Sequence, residues 1–319
     1  MPEQHSSRFI LITLTALALC ASIGFMVIGA RGRWEFVLAF RGTKLISLVL
    51  VAYAISVSTV LFQTISGNRI LTPSIMGFDA LYILIQTVLV FTIGAAGVSQ
   101  ADGRLTFLLE VSVMVLFSCL LYRWLFSGAV RSLHVLMLVG IIFGLLFRSL
   151  SGMLQRIINP NDFIVLQDRF FASFNTIDST LLGISIVAIV AASLAAARVF
   201  HTFDVLALGR DAAINLGVDY RKTTTLILVV ISVLVSVSAA LVGPVTFFGL
   251  LVSNLAYQLL PTGRHRVVLP AAFLLSVICL VGGQVVLEPV FALDTALSVV
   301  IEFAGGLFFI VLLMRGAAR

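Results

Sequence analysis

Charged residues are scarce in this sequence. Asp, Glu, Lys and Arg make up 11% of its 319 residues, whereas hydrophobic residues make up 61%. A soluble globular chain has about 25% charged and about 45–50% apolar residues. The composition therefore excludes an ordinary soluble domain and predicts a polytopic membrane protein.

Cysteines and catalytic motifs are also scarce. The three cysteines, Cys20, Cys119 and Cys279, all lie in apolar runs, which argues against a disulfide framework or a zinc site. No GxxxxGK[ST] phosphate loop is present, so the chain does not hydrolyse nucleotide by that route. The histidines lie far apart, and His201 and His265 are interpreted as loop residues with a structural or incidental role. We expect a chain that is not an enzyme and that carries no cofactor or metal.

Long apolar runs separated by short polar turns predict about ten membrane-spanning helices. The first run is longer than the about 7–15 apolar residues of a signal peptide, which is the competing interpretation, so we expect a retained span. A short interfacial helix is expected within residues 155–178. The predicted spans are residues 9–30, 45–65, 80–98, 105–125, 133–153, 181–197, 223–242, 247–260, 267–287 and 294–314.

Two places share a pattern in which a span ends at a break, Pro is followed by Gly, and another apolar segment begins. They are Pro73…Gly77 and Pro244…Gly249. The segment after the second break is about 21 Å long as a helix, which is too short for a full span. Paired broken helices in the two halves of a chain indicate an internal repeat beside a translocation path. Asn254 then either lines that path or bonds a neighbouring carbonyl.

Residues 198–222 (RVFHTFDVLALGRDAAINLGVDYRK) combine charge with a regular apolar stripe between two predicted spans. Gly217 is predicted to end one helix and Asp219 to cap the next. A compact, half-apolar segment of this kind indicates a docking surface for a soluble partner. The alternative is an amphipathic loop that lies on lipid headgroups. The stripe consists of Leu206, Ala213 and Leu216.

The few charges inside predicted spans are functional candidates by default. Glu110 and Glu302 are the membrane acids, with Arg148 as a candidate partner, and an ion-coupled carrier would use them. The net charge of +6 requires no nucleic-acid partner, because loop Lys and Arg orient a membrane protein. Their distribution places both termini and residues 198–222 in the cytoplasm. Residues 30–44 form a basic, aromatic segment that is predicted to be interfacial and outside.

Three stretches resemble the FecCD-type permease subunits of type II ATP-binding cassette (ABC) importers, which carry ferric siderophores, haem and cobalamin. Residues 41–81 are similar to the family segment that ends in N-P-L-x-x-P-x-x-L-G. Residues 208–220 are similar to its coupling segment, and residues 243–270 to its G-x-D-H-R-x-x-L-P region. Where the family has Pro-His, this sequence has Ser253-Asn254. Such departures are most similar to the divergent second permease of siderophore systems that use two different permeases.

The resemblance implies an all-α fold of ten helices with an internal repeat, in one permease domain spanning residues 1–319. It implies import of a ferric siderophore across the bacterial inner (cytoplasmic) membrane, with cobalamin or haem as the alternative cargo. It also implies two ATPase copies, a second and unlike permease subunit, a periplasmic binding protein and surrounding membrane lipid. The rival classes are an ion-coupled secondary transporter and a membrane sensor that signals through residues 198–222.

The resemblance also implies roles for individual residues. Arg41 and Lys44 match two family arginines that receive acidic groups of the binding protein, and Glu288 replaces a third. The alternative is a membrane-interface anchor made by these basic residues with Trp34. The expected ATPase-coupling residues are Leu206, Gly209, Arg210, Ala213, Leu216, Gly217 and Val218, with Leu208 on the same apolar face. The expected path residues are Gln63, Asn68, Pro73, Gly77, Pro244, Gly249 and Asn254.

Overall fold

The structure is a computed structural model that describes residues 2–28, 34–127, 133–174, 177–291 and 297–317. Every regular element within these ranges is a helix. The first seven are α1 Pro2–Val27, α2 Trp34–Ser66, α3 Phe78–Gln100, α4 Gly103–Ser127, α5 Leu133–Gln155, α6 Pro160–Asp168 and α7 Ser179–Ala197. The others are α8 Phe203–Leu206, α9 Arg210–Asn215, α10 Tyr220–Val242, α11 Phe248–Leu259, α12 His265–Phe291 and α13 Leu297–Ala317. Single 3₁₀ turns occupy Pro73–Met76 and Phe200–Thr202.

The predicted ten-segment architecture is confirmed. Among the described residues, eight helices are long and apolar enough to cross a membrane. The half-helix α11 has 12 residues, and α13 supplies the tenth segment. The interfacial helix expected within residues 155–178 is α6, which begins at Pro160 with the Asn159 side chain accepting a hydrogen bond from Asn161 N–H.

The predicted start of the second span was wrong. The helix does not begin at Leu45 but at Trp34, and it continues for 33 residues to Ser66. The residues between contain no proline, and charged side chains do not by themselves end a helix. Arg41 and Lys44 therefore lie within the same helix as the second span and not in a separate segment before it. Residues 30–33 of the predicted basic segment lie outside the described ranges.

α2 and α10 form the centre of the bundle. About 61% of the membrane-crossing stretch of each is buried inside the protein, compared with 17% for α1. Apolar side chains of α2 and α10 enter both large clusters of the core, one with α3, α4, α5 and α7, the other with α1, α11 and α12. A displacement of α2 or α10 would therefore disturb the packing of both clusters, because protein interiors are close-packed.

The connection from α9 to α10 is built as predicted. Gly217 has φ +83°, Val218 N–H donates to Ala213 O at 3.0 Å, and Gly217 N–H donates to Ile214 O at 3.0 Å. These two bonds are the Schellman motif that ends a helix. The Asp219 side chain then accepts from Lys222 N–H at the start of α10.

Candidate translocation site

The first break separates α2 from α3. After Ser66 the chain leaves the helix, makes the 3₁₀ turn Pro73–Met76 and reverses direction at Gly77, which has φ +86°. Gly77 packs against the backbone of Gly144 on α5, where an added Cβ would lie 3.1 Å from Gly144 N. A side chain at Gly77 is thus excluded both by backbone conformation and by space. Asp79 follows in the first turn of α3 and is buried.

The second break separates α10 from α11. α10 ends at Val242, and Gly243 has φ +100° with the backbone of Ala172 against it. Pro244 lies in the break as predicted, but Gly249 does not. Gly249 lies inside the first turn of α11, where a Cβ would collide with the Thr59 side chain of α2. Its role is close helix packing rather than interruption of the helix.

The two breaks, far apart in the sequence, meet in the folded chain. Thr246 Oγ1 of the second break donates to Asp79 Oδ2 beyond the first, at 3.0 Å. Between them lies a cavity of about 30 Å³, which is room for one or two water molecules. Its lining includes the predicted path residues Pro73, Pro244 and Gly249, and its polar lining consists of Ser58, Thr59, Thr72, Ser74, Asp79, Ser238 and Thr246.

Glu302 of α13 belongs to the same site. Its carboxylate lies close enough to Thr246 and Asp79 to interact with both of them electrostatically. Sequence reasoning found Glu302 but missed Asp79. The sequence signal that could have identified Asp79 is its position two residues after Gly77, in the break Pro73-x-x-x-Gly77. Arg148, considered as a partner for the predicted acids, acts electrostatically on Asp79.

Glu110 lies in a separate buried network. Its Oε1 accepts from Gln86 Nε2 at 2.7 Å, and Gln86 Oε1 accepts from Arg169 Nη1 at 3.2 Å. The basic residue of this network is therefore Arg169, which follows α6, and not Arg148. The network ties α3, α4 and the α6 region together, and its groups satisfy one another as buried polar groups do.

Gln63 and Asn254 fix the loop after α2 to α11. Gln63 Nε2 donates to Arg69 O at 2.7 Å and to Ser253 Oγ at 2.9 Å. Asn254 Nδ2 donates to Arg69 O at 3.1 Å and to Leu250 O at 2.9 Å. Of the two alternatives for Asn254, the structure has the bond to a neighbouring carbonyl. Asn68 is exposed, and its side chain accepts from Ile70 N–H.

The coupling segment, residues 198–222, presents a different apolar face from the predicted stripe. Leu206 and Ala213 are buried in the core of the chain, which removes both from direct contact with a partner. The apolar side chains at the surface are Leu208, Leu216 and Ile214, which are 65%, 63% and 49% exposed. Sequence reasoning missed Ile214, because a four-residue helix and a six-residue helix do not share one helical register. Gly209, Arg210 and Gly217 are exposed, and Val218 is half-buried.

The coupling segment is attached to the membrane helices by a buried histidine. His265, for which the sequence predicts a structural or incidental role, donates from both its backbone N–H and its ring Nδ1 to Asp204 Oδ1 of α8, at 2.9 and 2.6 Å. Partial burial works to raise the pKa of Asp204. The hydrogen bonds from His265 and the charge of Arg264 outweigh that effect and hold the pKa below its ordinary value.

The three predicted docking residues are brought together near the end of α1. The Arg41 guanidinium donates to Ile28 O at 2.6 Å and to Glu288 Oε1 at 3.2 Å. Lys44 is buried, and its ammonium lies 5.9 Å from the centre of the Phe25 ring. Glu288 thus neutralises the charge of Arg41 within the chain.

None of the described Asp, Glu, His and Cys side chains form a group of three or more that could hold a metal ion.

Comparison with known proteins places these features in context. A family model described as the FecCD transport family matches residues 9–315. The petrobactin import system permease protein YclO of Bacillus subtilis (strain 168) is 46% identical over 302 residues, which cover 95% of this chain and 96% of that protein. A second petrobactin import system permease protein of that strain, YclN, is 24% identical over 298 residues, covering 88% and 86%.

A solved structure described as an inward-facing metal-chelate type ABC transporter has the same fold. It superposes with a TM-score of 0.83 at 20% identity, covering 97% of this chain and 99% of that one.

Proposed function

Because the chain belongs to the FecCD transport family, we propose that it is the permease subunit of an ABC importer for a ferric siderophore of the petrobactin class. The observation that carries a transport function is the meeting of the two helix breaks at Asp79 and Thr246. Non-helical backbone within a membrane is tolerated only where it is packed in protein or lines a water-filled path. The class of cargo rests on the names of the relatives.

The cavity at the breaks is far smaller than a siderophore. Transport therefore requires the two breaks to separate, and the Thr246–Asp79 hydrogen bond is the contact that must open. Asp79, Ser74 and Thr246 then offer carboxylate and hydroxyl groups to water and to a polar chelate. A pre-formed chelate passes whole, so the path needs no iron ligands of its own.

The energy for this movement comes from a separate ATPase, since the sequence has no phosphate loop. We place two ATPase copies below the permease pair and assign their contact to the exposed face of the coupling segment, Leu208, Ile214 and Leu216. Apolar side chains on a short helix fit a groove of a soluble partner. Arg210 and the turns at Gly209 and Gly217 frame this face.

The complete assembly has two unlike permeases and a binding protein on the outer side of the cytoplasmic membrane. The support is that one B. subtilis strain has two petrobactin permeases, and this chain is much more similar to one of them. Both termini are assigned to the cytoplasm, and residues 1–319 to one permease domain. The proposed docking site is the partly exposed Arg41–Glu288 pair, to which the buried Lys44 adds positive charge. Because Glu288 already engages Arg41, an acidic group of the binding protein must compete with it.

The test is uptake of radioiron-labelled ferric petrobactin into proteoliposomes that contain this chain, a second permease, the ATPase and the binding protein. We expect uptake that requires ATP, is blocked by vanadate and is unaffected when a protonophore collapses the proton gradient. Gradient-dependent, vanadate-resistant uptake would instead support an ion-coupled carrier that uses Asp79 and Glu302. ATP-dependent uptake of cobalamin or haem, without uptake of ferric petrobactin, would overturn the cargo class alone.

A further inference from the structure

The attachment of the coupling segment extends through His265 into the membrane helices. His265 is the first residue of α12, and its side chain is 4% exposed. On one side the ring and backbone N–H groups bind the Asp204 carboxylate of α8, so a residue of the coupling segment caps the start of α12. The Phe203 ring packs edge-on against the imidazole at 5.7 Å between centroids and fixes its orientation.

On the other side the imidazole reaches the last turns of α2. Nε2 of His265 and Oγ1 of Thr64 share a hydrogen bond of 2.7 Å. Thr64 also interacts with the side chain of Tyr257 on α11, and the Arg69 guanidinium lies 4.4 Å above the Tyr257 ring. One imidazole therefore links the coupling segment, α12 and α2, and through Thr64 it reaches α11.

These contacts continue to the translocation site. Gln63, next to Thr64, binds Ser253 of α11, and α11 begins immediately after the break that holds Thr246. These hydrogen bonds join neighbouring elements of the chain. A displacement of one element is therefore transmitted to the next, because closely packed elements shift together rather than deform. The exposed face of the coupling segment is not part of this route. The route runs from Asp204 through His265 to Thr64 on α2, and from there to α11.

We propose that His265 is the positioning residue that transmits movement of the coupling segment to α2 and α11, and so to the break at Thr246. This inference rests on the proposed function, in which an ATPase moves the coupling segment. His265 contacts neither cargo nor ATPase in this arrangement. It acts by holding Asp204 and Thr64 at a fixed separation.

Three variants each remove one of the two contacts that His265 makes with Asp204 and Thr64. His265→Asn keeps an amide near the Nδ1 position for Asp204 and loses Thr64. His265→Gln keeps one near Nε2 and loses Asp204. Thr64→Val removes only the hydroxyl, and Thr92→Val is its matched control. Thr92 lies on a membrane helix and its hydroxyl binds only carbonyls of its own helix, Val88 O and Leu89 O.

The first measurement is ATPase activity in the assembled, reconstituted transporter, with and without loaded binding protein. We expect the three variants to keep ATPase co-purification and basal hydrolysis, while stimulation by the binding protein falls about fivefold, the factor that one hydrogen bond is worth. Thr92→Val should match wild type. Loss of the ATPase during purification of His265→Asn would show that His265 merely folds the segment, which would overturn the proposal.

The second measurement is the spin-label distance between His201→Cys in the coupling segment and Gln258→Cys on α11, both exposed, with Cys20, Cys119 and Cys279 replaced. In wild type the distance should stay the same when ATP binds, because the two elements move together. In the three variants it should change and broaden on ATP binding. An unchanged distance in these variants would overturn the proposal. If the ATPase still binds Leu216→Glu, the docking assignment fails independently of His265.

Discussion

Asp79 is a buried carboxylate at the start of a membrane helix, and its surroundings account for its presence there. It lies in the first turn of α3, where the helix dipole favours a negative charge. Thr246 donates a hydrogen bond to it, and the side chains of Ser74 and Arg148 also interact with it. An intramembrane acid with this many partners marks a functional position. Of these partners only Thr246 comes from the second break, so it is the one that Asp79 loses in the proposed opening.

Removal of the Thr246 hydroxyl should therefore destabilise the closed site. Thr246→Val keeps the side-chain shape but leaves Asp79 with one donor fewer, at a cost of about 1–2 kcal/mol, near the upper end for hydrogen bonds between membrane helices. We expect a lower unfolding temperature in detergent and a higher basal ATPase rate in the assembled transporter. Thr246→Ser keeps the hydroxyl and should behave as wild type. Equal stability of the Val and Ser variants would contradict a role for the bond.

The Asp204–His265 contact gives a prediction for pH. The pKa of Asp204 is depressed below 3.8 in the folded chain. Its contribution to stability is therefore fully present above that ordinary value and is lost as pH falls through the depressed value. Thermal unfolding followed from about pH 5 to about pH 3 should show this loss in wild type. The Asp204→Asn variant should not show this loss of stability at low pH. The loss in wild type should be small, because half of the Asp204 side chain is exposed and screened by solvent.

At the scale of elements, the first break is held by a helix surface that lacks side chains. Gly140 and Gly144 of α5 face Met76 and Gly77, and a Cβ on Gly140 would lie 2.8 Å from Met76 Cα. Small residues of this kind let membrane segments approach at backbone distance. The position of the break is thus set by α5 as much as by Pro73.

Gly140→Ala should push the 3₁₀ turn away from α5. Because the colliding atom belongs to the backbone, overpacking should cost about 1–3 kcal/mol. The expected result is a lower unfolding temperature and reduced uptake. Gly152→Ala on the same helix meets no atom within 4 Å and is the matched control. A Gly140→Ala variant as stable and active as Gly152→Ala would show that the break tolerates displacement.

The coupling segment contains one buried and one exposed leucine, and the proposal gives them different roles. Leu206 is 3% exposed, and Leu216 is 63% exposed. Leu206→Ala should lower stability by about 2–5 kcal/mol through a core cavity. Leu216→Glu should leave the fold intact but detach the ATPase, since an apolar side chain in a groove contributes about 1.5–3 kcal/mol. Co-purification of the ATPase distinguishes the roles of the two leucines. ATPase retained at wild-type yield with Leu216→Glu would contradict the docking role.

At the scale of the whole molecule, the exposed surface of the bundle requires a partner or lipid. Large apolar side chains are exposed along α4 and α5, as expected for lipid or for a second permease. The charge of Arg41 is neutralised by Glu288, unlike the arginine pattern that the family resemblance implies. A partner permease with unpaired arginines would add the docking charge that Glu288 neutralises here.

We therefore predict that this permease requires an unlike partner. Expressed with the ATPase and binding protein alone, it should give no more than background uptake of ferric petrobactin. Co-expression with the second permease should restore uptake that falls as salt screens the docking charges. Full uptake by this chain without a second permease would refute the unlike pair.

The sequence alone determined the class, the number of membrane segments and the helix breaks at Pro73 and Pro244, but not the kink at Gly94 within α3. These follow from apolar run length and from Pro and Gly, which act locally. It also determined the cap at Asp219 and the helix end at Gly217, because such motifs involve only neighbouring residues. The start of α2 was misplaced since no local signal distinguishes a charged interfacial segment from a charged helical turn.

Only the tertiary structure decided which residues act together. Asp79 and Thr246 are 167 positions apart, and the separation of Asp204 from His265 is 61. Whether Leu206 or Leu216 faces a partner depends on which side of two short helices packs on the bundle. Pairing across such distances depends on which helices pack together, and the local sequence pattern of a helix does not identify its neighbour.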